Sequence, residues 1–213
     1  MSQAERSSQR RNAYDEPGVA ARYAADRFAL GSGPRTHARE SARLRRLLAG
    51  IAAPRCVLDL PCGAGRFAQL FPGATVVRSD LSIEMLREAR RASGAGPFAL
   101  SRAEALPFAA RSFDLVFCIR LLHHLDETPR RAVLRELARV SRGHALISIY
   151  LGPSLQGARR AWKQLLGTPR RSRRSISRAE FHADLAASGW SIEARMPLRR
   201  WISEPWYYLL TAQ

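Results

Sequence analysis

The residues best suited to chemistry lie in and just after a short glycine-rich segment. Asp59 ends an apolar run, and Gly63 and Gly65 follow within the next few residues. Glycines at such a turn let the backbone approach a ligand closely, and a neighbouring carboxylate can bind a cation or accept hydrogen bonds. Asp80 follows Gly65 at the distance where doubly wound nucleotide-binding folds place the acid that accepts ribose hydroxyls. Together these residues predict a nucleoside site.

Two classes of nucleoside ligand fit this segment. The pattern Gly63-x-Gly65-x-x-Ala68 satisfies the dinucleotide fingerprint when it is read literally, so an NAD-dependent enzyme is one interpretation. Asp59 argues against it, because a buried carboxylate and a pyrophosphate would repel each other by an energy on the order of several kcal/mol. S-adenosylmethionine (SAM) has no phosphate and carries an ammonium and a sulfonium. Asp59 therefore favours SAM.

The elements that must position these residues alternate in type along the chain. Helices are expected to begin near Gly65, Ser82 and Pro129. Two strands are expected within residues 190–210. The alternation predicts an α/β fold, with a Rossmann-like, doubly wound, mostly parallel seven-stranded sheet, helices on both faces and an N-terminal helical cap. Short apolar runs predict the other strands over residues 56–60, 75–77, 98–100, 113–119 and 145–150.

Two of the predicted helices begin with capping signals. Thr128 followed by Pro129 is typical of an N-cap and the first helical residue. Ser177 and Glu180 form a capping box, and Gly189 is expected to close the helix that follows.

Four motifs between about residues 55 and 150 carry a family resemblance. They are D-x-x-C-G-x-G at 59–65, D-L-S at 80–82 with M-L at 85–86, A-E-A-L-P-F at 103–108, and S-F-D-L-V at 112–116 leading into L-H-H-L at 122–125. In this order and spacing they resemble the class I SAM-dependent methyltransferases, and within them the group similar to ubiquinone/menaquinone-biosynthesis methyltransferases. A glycine loop alone would be a weak signal, whereas four ordered motifs are specific.

The resemblance implies a role for each matched residue. Gly63 and Gly65 would line the methionine end of SAM, and Asp59 would bind its ammonium directly or through water. Asp80 would accept both ribose hydroxyls, and Leu81 would pack on the adenine. The residues expected to bind the cofactor are Asp59, Gly63, Gly65, Asp80, Leu81, Ala103, Glu104 and Arg120.

Alternatives to these roles remain open. Asp59 could cap the following turn, and Asp80 could be the N-cap of the helix that begins near Ser82. Arg102 stands where family members usually have the Asp or Asn that receives the adenine amino group. Glu104 would then take that role, or the backbone beside it at residue 103 would carry the recognition alone.

A general base is not identified by the sequence. His123 and His124 titrate near neutrality and could remove a proton from a hydroxyl acceptor, although the family mostly uses this pair in a structural or pocket-wall role. An acidic carbon or an already ionised oxygen needs no strong base, and alignment of the acceptor with the methyl group would then supply most of the catalysis.

The chain is strongly basic. Its 213 residues include 35 basic and 18 acidic ones, which gives a formal net charge of +17, and Lys163 is the single lysine. Such a surface attracts phosphates, nucleic acid or anionic lipid. Many of the arginines fall in the segment Arg159–Arg178, which no acidic residue interrupts.

Three interpretations of this basic segment stay open. It is a solvated helix packed on the core, an element that binds an anionic membrane surface and suits a lipid-like acceptor, or a clamp for RNA. A small-molecule or lipid-like acceptor is favoured over RNA. The Asn/Asp-Pro-Pro-aromatic motif of enzymes that methylate base amino groups is absent after the fourth predicted strand, where residues 118–120 read C-I-R.

Composition also predicts the organisation and location of the chain. Residues 1–16 are expected to be a flexible tail and residues 17–213 a single methyltransferase domain, in which residues 17–50 form the cap and residues 151–178 a basic insert. Three cysteines without a C-x-x-C pair predict no metal site and a reducing compartment. A cytoplasmic protein is expected, with peripheral binding to the inner face of the membrane as a variant.

The sequence thus predicts a SAM-dependent methyltransferase that acts on an unidentified small-molecule or lipid-like acceptor. An RNA methyltransferase and a catalytically inactive basic binding protein of the same fold are the alternatives, and Arg102 is the residue that most favours the inactive protein.

Overall fold

The computed structural model describes residues 18–21, 33–152, 176–199 and 205–213. Within these residues, one sheet is covered by four α-helices, α1 (Gly33–Leu48), α2 (Ile83–Ser93), α3 (Glu127–Val140) and α4 (Arg178–Ala186), and by a short 3₁₀ helix (Leu122–His124). The strands are β1 (Cys56–Asp59), β2 (Thr75–Asp80), β3 (Phe98–Leu100), β4 (Phe113–Cys118), β5 (Ser141–Tyr150), β6 (Trp190–Pro197) and β7 (Pro205–Ala212).

The seven strands form one sheet in the order β3-β2-β1-β4-β5-β7-β6. The pairs among β1 to β5 are parallel, and β7 runs antiparallel to both β5 and β6. The predicted fold class is confirmed. The strand order reverses direction between β1 and β4, and ligands of such sheets bind outside the carboxyl ends of the strands at this switch point.

Alternating side chains of the strands pack on helices on both faces of the sheet. Val57 lies in a buried cluster with Leu44 and Leu47 of α1, whereas its neighbour Leu58 lies in a second cluster with apolar residues of α3 and α4. This division follows because successive strand residues point to opposite faces. Helix α1 therefore covers the same face as the segment that follows the glycine turn.

The helix predicted to begin near Gly65 is not formed. Residues 61–73 make successive turns instead, with hydrogen bonds from Ala68 N–H to the Gly65 carbonyl (3.0 Å) and from Leu70 N–H to the Phe67 carbonyl (2.9 Å). Gly65 has a positive φ, and Pro72 disfavours a helical residue before it, so too few residues remain for a regular helix.

The other predicted helix starts are close to those observed. The helix expected to have Thr128 as its N-cap begins at Glu127, and its N-cap is Asp126. Pro129 therefore lies within the first turn, where a backbone N–H has no partner inside the helix and its absence costs nothing. The capping box is confirmed in part, because Ser177 Oγ accepts from Glu180 N–H at 3.1 Å.

Several predicted segments lie outside the described residues. These are the tail, much of the first cap helix and most of the basic insert, although residues 19–21 are helical. The predicted domain boundaries therefore remain predictions. In the part of the chain that the structure describes, the helices are too short or too polar to cross a bilayer.

Candidate active site

The glycine turn leads from β1 towards α2, and its two glycines meet different surroundings. Gly63 and Gly65 both have positive φ values, of 53° and 77°. A Cβ at Gly65 would approach the Cα of Ala89 in α2 to 3.0 Å, so this glycine is required for packing. A Cβ at Gly63 would meet nothing within 4 Å. The backbone at Gly63 therefore borders open space, into which a ligand can come close.

Asp80 at the end of β2 is fixed by the backbone around it. Its carboxylate accepts hydrogen bonds from the Gly63 N–H at 2.8 Å and from the Ser82 N–H at 3.0 Å. An ionised carboxylate can accept several hydrogen bonds, because each of its two oxygens carries two lone pairs. The N-cap of α2 is Ser82, whose Oγ accepts from Met85 N–H at 3.3 Å. The alternative that Asp80 is this N-cap is therefore wrong.

Asp59 at the end of β1 is a buried carboxyl group. Burial raises its pKa to about 7, and the nearby Arg78 guanidinium only partly opposes this effect, while Asp80 adds to it. A carboxyl group that titrates near neutrality gains its charge readily when a cation binds beside it. Asp59 is thus suited to an ammonium group.

The surface beside Asp80 is apolar and exposed. Leu81 follows Asp80 directly, and Leu100 is the partner of Asp80 in the β2–β3 register. Both leucines are exposed, at 43% and 58% of their surface. Ala103 and Glu104 lie just beyond, with the Glu104 carboxylate 3.8 Å from an Arg102 nitrogen. This surface can pack against a flat ring.

These features fit a phosphate-free nucleoside with a positive charge. The structure brings Gly63, Asp80 and Leu81 together, and Asp59 lies at the end of the adjacent strand, close enough for Asp80 to affect its pKa. The two carboxyl groups can bind a cation and accept hydrogen bonds from ribose hydroxyls, and the glycine lets the ligand approach the backbone. Among the described residues, no three His, Cys, Asp or Glu side chains are grouped to hold a metal ion.

Arg120 follows β4 with an unusual backbone conformation. Its φ is 69°, in the left-handed region that non-glycine residues rarely occupy except where neighbouring structure imposes it. Its N–H donates to Ser148 Oγ of β5 at 2.8 Å. Its guanidinium donates to both carboxylate oxygens of Glu40 in α1, at 2.8 and 3.4 Å.

Glu40 is the centre of a buried polar cluster that the sequence analysis missed. Besides Arg120, it binds Arg66 of the glycine turn at 2.6 Å and accepts from the Tyr207 hydroxyl at 2.7 Å. Burial would raise the pKa of Glu40, but Arg120 and Arg66 outweigh this and lower it. One signal was available, because Glu40 shares the helical spacing of the buried Leu44 and Leu47.

Three rings pack against one another at tilted angles at the carboxyl ends of β4 and β5. The ring of His123 lies 4.0 Å from that of Tyr150 and 4.1 Å from that of His124, measured between centroids. His123 and Tyr150 are buried. They form an aromatic wall next to Arg120. Burial lowers the pKa of Arg120, but the nearby Glu40 and the hydroxyl groups of Tyr150 and Tyr207 together raise it above its ordinary value.

A cavity of about 230 Å³ lies between α1 and the glycine turn. It does not include Asp59 or Asp80. Burial lowers the pKa of His37 in this cavity, and the Arg66 charge adds to that effect. Its polar lining residues are His37, Ser41, Arg45, Arg66 and Gln69.

Cys62 in the glycine turn is not a nucleophile. Burial raises the pKa of its thiol, and the nearby acids Asp59 and Asp80 raise it further. A thiol needs a lowered pKa to react at neutral pH.

Comparison with known proteins identifies similar sequences and folds. Residues 58–149 match the profile of a family described as a methyltransferase domain. The chain is 38% identical over 109 residues to a malonyl-[acyl-carrier protein] O-methyltransferase of Legionella pneumophila, a match that covers 47% of this chain and 38% of that protein. It is 29% identical over 174 residues to a demethylmenaquinone methyltransferase of Renibacterium salmoninarum, covering 78% and 73%.

A solved structure shares the fold over nearly the whole chain. Magnesium protoporphyrin IX methyltransferase from Synechocystis PCC 6803 with bound SAH has a TM-score of 0.78 at 18% identity, and the match covers 97% of this chain and 100% of that one. This likeness shows the fold. The chain spans about half or less of the length of the malonyl-[acyl-carrier protein] O-methyltransferases that it matches.

Proposed function

We propose that the chain is a class I SAM-dependent methyltransferase that transfers a methyl group from SAM to a small-molecule or lipid-like acceptor. The match of residues 58–149 to a methyltransferase-domain family and the similarity to curated methyltransferases support this proposal. The observation that carries the proposal is that Asp59, Gly63 and Asp80 lie together at the carboxyl ends of β1 and β2, with open space beside the Gly63 backbone. When bound there, SAM supplies a methyl group on a positively charged sulfur.

Each residue of this crevice has a defined task in the proposal. Asp59 binds the ammonium of the cofactor, and Asp80 accepts its ribose hydroxyls while it keeps the glycine turn in place. Leu81 packs on the adenine. Ala103 and Glu104 border the adenine amino group, and the contact between Glu104 and Arg102 leaves part of that carboxylate exposed.

The acceptor binds on the other side of the switch point, beside the aromatic wall of His123 and Tyr150. The relatives support this class of acceptor, because they are named malonyl-[acyl-carrier protein] O-methyltransferases and a demethylmenaquinone methyltransferase. The buried position of His123 favours a role in the wall of the pocket. The site then acts mainly by holding the acceptor atom in line with the methyl group.

Isothermal titration of the protein with S-adenosylhomocysteine (SAH) and with NADH tests the cofactor. We expect SAH to bind in the micromolar range and NADH not to bind, because the acids at the turn repel a pyrophosphate. Failure of SAH to bind at about 100 µM, within the range of ordinary cofactor affinities, would contradict the proposal and favour a binding protein of the same fold.

The transfer itself is tested by incubating the protein with methyl-labelled SAM and, in separate reactions, an extract of small molecules and lipids or total RNA. We expect mass spectrometry to find labelled product only when active protein is present. Boiled protein and an Asp80→Ala variant are the controls, and label that appears only in RNA would replace the proposed acceptor class.

A further inference from the structure

Three basic side chains come together at the edge of the sheet that lies opposite β3. Arg178 and His182 belong to α4, and Arg195 belongs to the edge strand β6. An N–H group of Arg195 donates to His182 Nε2 at 3.3 Å. Burial lowers the pKa of His182, and the charges of Arg195 and Arg178 lower it further, so both guanidinium groups lie near this imidazole. We call these three residues the edge cluster.

Two aromatic residues of β7 hold the edge cluster in place. The guanidinium carbon of Arg178 lies over the Trp206 ring, 4.5 Å from its centroid. Tyr208 is the register partner of Arg195, and its hydroxyl lies 3.2 Å from His182 Nε2. A guanidinium that packs on a ring with its flat face keeps the N–H donors at its edge available. Because these side chains are already positioned, binding a ligand costs little conformational entropy.

Carboxylates do not balance the two arginines within residues 18–21, 33–152, 176–199 and 205–213. Neither Arg178 nor Arg195 forms an ion pair with an acidic residue there, and both are exposed. The acidic residues two positions away on the same elements have other partners. Glu180 accepts from Arg130 at 3.0 Å, and Glu193 accepts from a β7 hydroxyl at 2.9 Å. An anion would therefore relieve the repulsion between two guanidinium groups that lie beside one imidazole.

The arrangement of the edge cluster suits a single phosphate group. A phosphate group carries up to two negative charges and several strong acceptor oxygens, which donors can approach from different directions. The three basic groups gather around one point, whereas a protein that follows the backbone of a single-stranded nucleic acid needs a positively charged groove. One phosphate group is thus a better match than a run of them.

We propose that Arg178, His182 and Arg195 bind a phosphate group, carried either by a soluble phosphate ester or by the headgroup of an anionic lipid. The site is separate from Asp59 and Asp80, so it does not depend on the proposed function. Residues 153–175, which precede α4, contain no acidic residue that would repel such a ligand.

Glycerol 3-phosphate and glycerol test the site, because they differ only in the phosphate group. NMR titration in about 0.15 M salt, which screens the surface charges, follows the ring signal of His182. That signal is assigned by its loss in His182→Gln. At about pH 7.5 the ester is mostly a dianion, because its second pKa is about 6. We expect glycerol 3-phosphate to bind at least about tenfold more tightly than glycerol, and equal binding would overturn the proposal.

A double substitution assigns the binding to the two arginines. Arg178→Gln combined with Arg195→Gln should weaken glycerol 3-phosphate binding by at least about tenfold. The matched control combines Arg39→Gln with Arg46→Gln, two exposed arginines of α1, and should stay within about twofold of the wild-type protein. Thermal unfolding confirms that each variant is folded, and the single variants replace the double variant if it is not. Equal losses in the two double variants would show that the overall charge of +17 attracts the ester, and would overturn the proposal.

The titration of His182 gives a readout that a purely structural role would not change. The groups around its imidazole are Arg178 on α4, Arg195 on β6 and the Tyr208 phenol on β7. Sulfate is a suitable probe because it stays doubly charged between about pH 5.5 and about pH 8. A bound dianion favours the imidazolium form, so saturating sulfate should raise the pKa of His182, and sulfate affinity should rise at least about threefold as the pH falls across this range. An unchanged pKa would overturn the role of His182.

Vesicles distinguish the two sources of the phosphate group. The probe is phosphatidylcholine with about 20% phosphatidic acid, compared with phosphatidylcholine alone in a sedimentation assay. If the wild-type protein sediments with the acidic vesicles and the Arg178/Arg195 double variant does not, the lipid headgroup is a ligand. If both sediment equally while only the wild-type protein binds glycerol 3-phosphate, the ligand is a soluble ester. Binding of an RNA without terminal phosphates that requires both arginines, with neither phosphate probe bound, would overturn the proposal.

Discussion

The two sides of the switch point carry opposite charge and are built in different ways. On the side of β1, β2 and β3, the acids Asp59 and Asp80 lie at strand ends, and the Asp80 carboxylate is held by backbone N–H groups. On the side of β4, β5 and β7, Arg120 is held by a side chain, Glu40, from a helix outside the sheet. The difference shows that the Asp80 carboxylate is held by nearby backbone, whereas the position of the Arg120 side chain depends on α1.

The largest expected effect is on the acidic side. Asp80→Ala removes the acceptor of two ribose hydroxyls, and hydrogen bonds to a charged group contribute about 1.5–3 kcal/mol each. We expect the affinity for SAH to fall by at least about 100-fold in calorimetric titration, because a loss of about 1.4 kcal/mol corresponds to tenfold.

A matched control for this variant lies near the amino end of β4, away from the carboxyl ends of the strands. The Asp114 carboxylate also accepts two backbone N–H bonds, from Arg55 at 3.0 Å and Cys56 at 2.9 Å. Asp114→Ala should therefore share any loss of stability but keep the SAH affinity. Equal affinities in both variants would show that Asp80 has only a structural role.

The next effect concerns the basic side and its stability. Glu40→Gln removes the carboxylate that Arg66 and Arg120 share, and breaking a buried ion pair in this way costs about 3 kcal/mol. We expect the free energy of unfolding in urea to fall by about this amount. Glu84→Gln, which breaks an exposed pair with Arg87, should change it by less than about 1 kcal/mol. If both variants are equally stable, the cluster does not hold α1 on the sheet.

A smaller effect follows from the titration of Asp59. Its pKa is raised to about 7 in the folded protein, so it is largely protonated at low pH and cannot attract an ammonium group. We expect the affinity for SAH to rise by up to about tenfold between about pH 6 and about pH 8, whereas Asp59→Asn should bind SAH weakly and without this dependence.

The titration of Asp59 also affects stability: the free energy of unfolding should fall as the pH rises, whereas the affinity for SAH should increase. Because its folded pKa lies above the unfolded value, its contribution to stability is present at low pH and is lost as the pH rises through about 7. Asp59→Asn should therefore unfold at a higher temperature than the wild-type protein at about pH 8, and the gap should close at low pH. If Asp59→Asn were less stable than the wild-type protein at about pH 8, the ionised Asp59 carboxylate would not be destabilised by burial, and this prediction would be wrong.

The smallest effect compares two glycines. Gly63 and Gly73 both have positive φ, and a Cβ would meet nothing within 4 Å at either position. Alanine at each should therefore reduce stability by a similar amount, about 1 kcal/mol. Only Gly63→Ala should weaken SAH binding, by about fivefold, because its methyl group enters the ligand space. Equal affinities would place the ligand elsewhere.

The acidic side was largely predictable from sequence, and the basic side was not. Asp59, the glycines and Asp80 fall in contiguous motifs whose spacing follows from one β-turn-β unit, and the structure brings Asp80 to Gly63. The Glu40 cluster joins four distant segments, and in an arginine-rich chain no local pattern distinguishes Arg66 from solvated arginines. Arg120 was predicted as a cofactor-binding residue, but its contact with Glu40 was not.

The errors have equally local causes. A helix was expected after Gly65 because the motif usually opens one, but Pro72 leaves too few residues for it. The helix start at Thr128 was misplaced because Asp126 and Thr128 are both good N-cap residues and sequence does not rank them.

A crystal structure of the protein with SAH would show directly where the nucleoside lies. We expect the ribose hydroxyls within hydrogen-bond distance of the Asp80 carboxylate, the ammonium at Asp59 and the adenine against Leu81. Density for SAH elsewhere, or a crevice filled by side chains at full ligand concentration, would contradict this expectation.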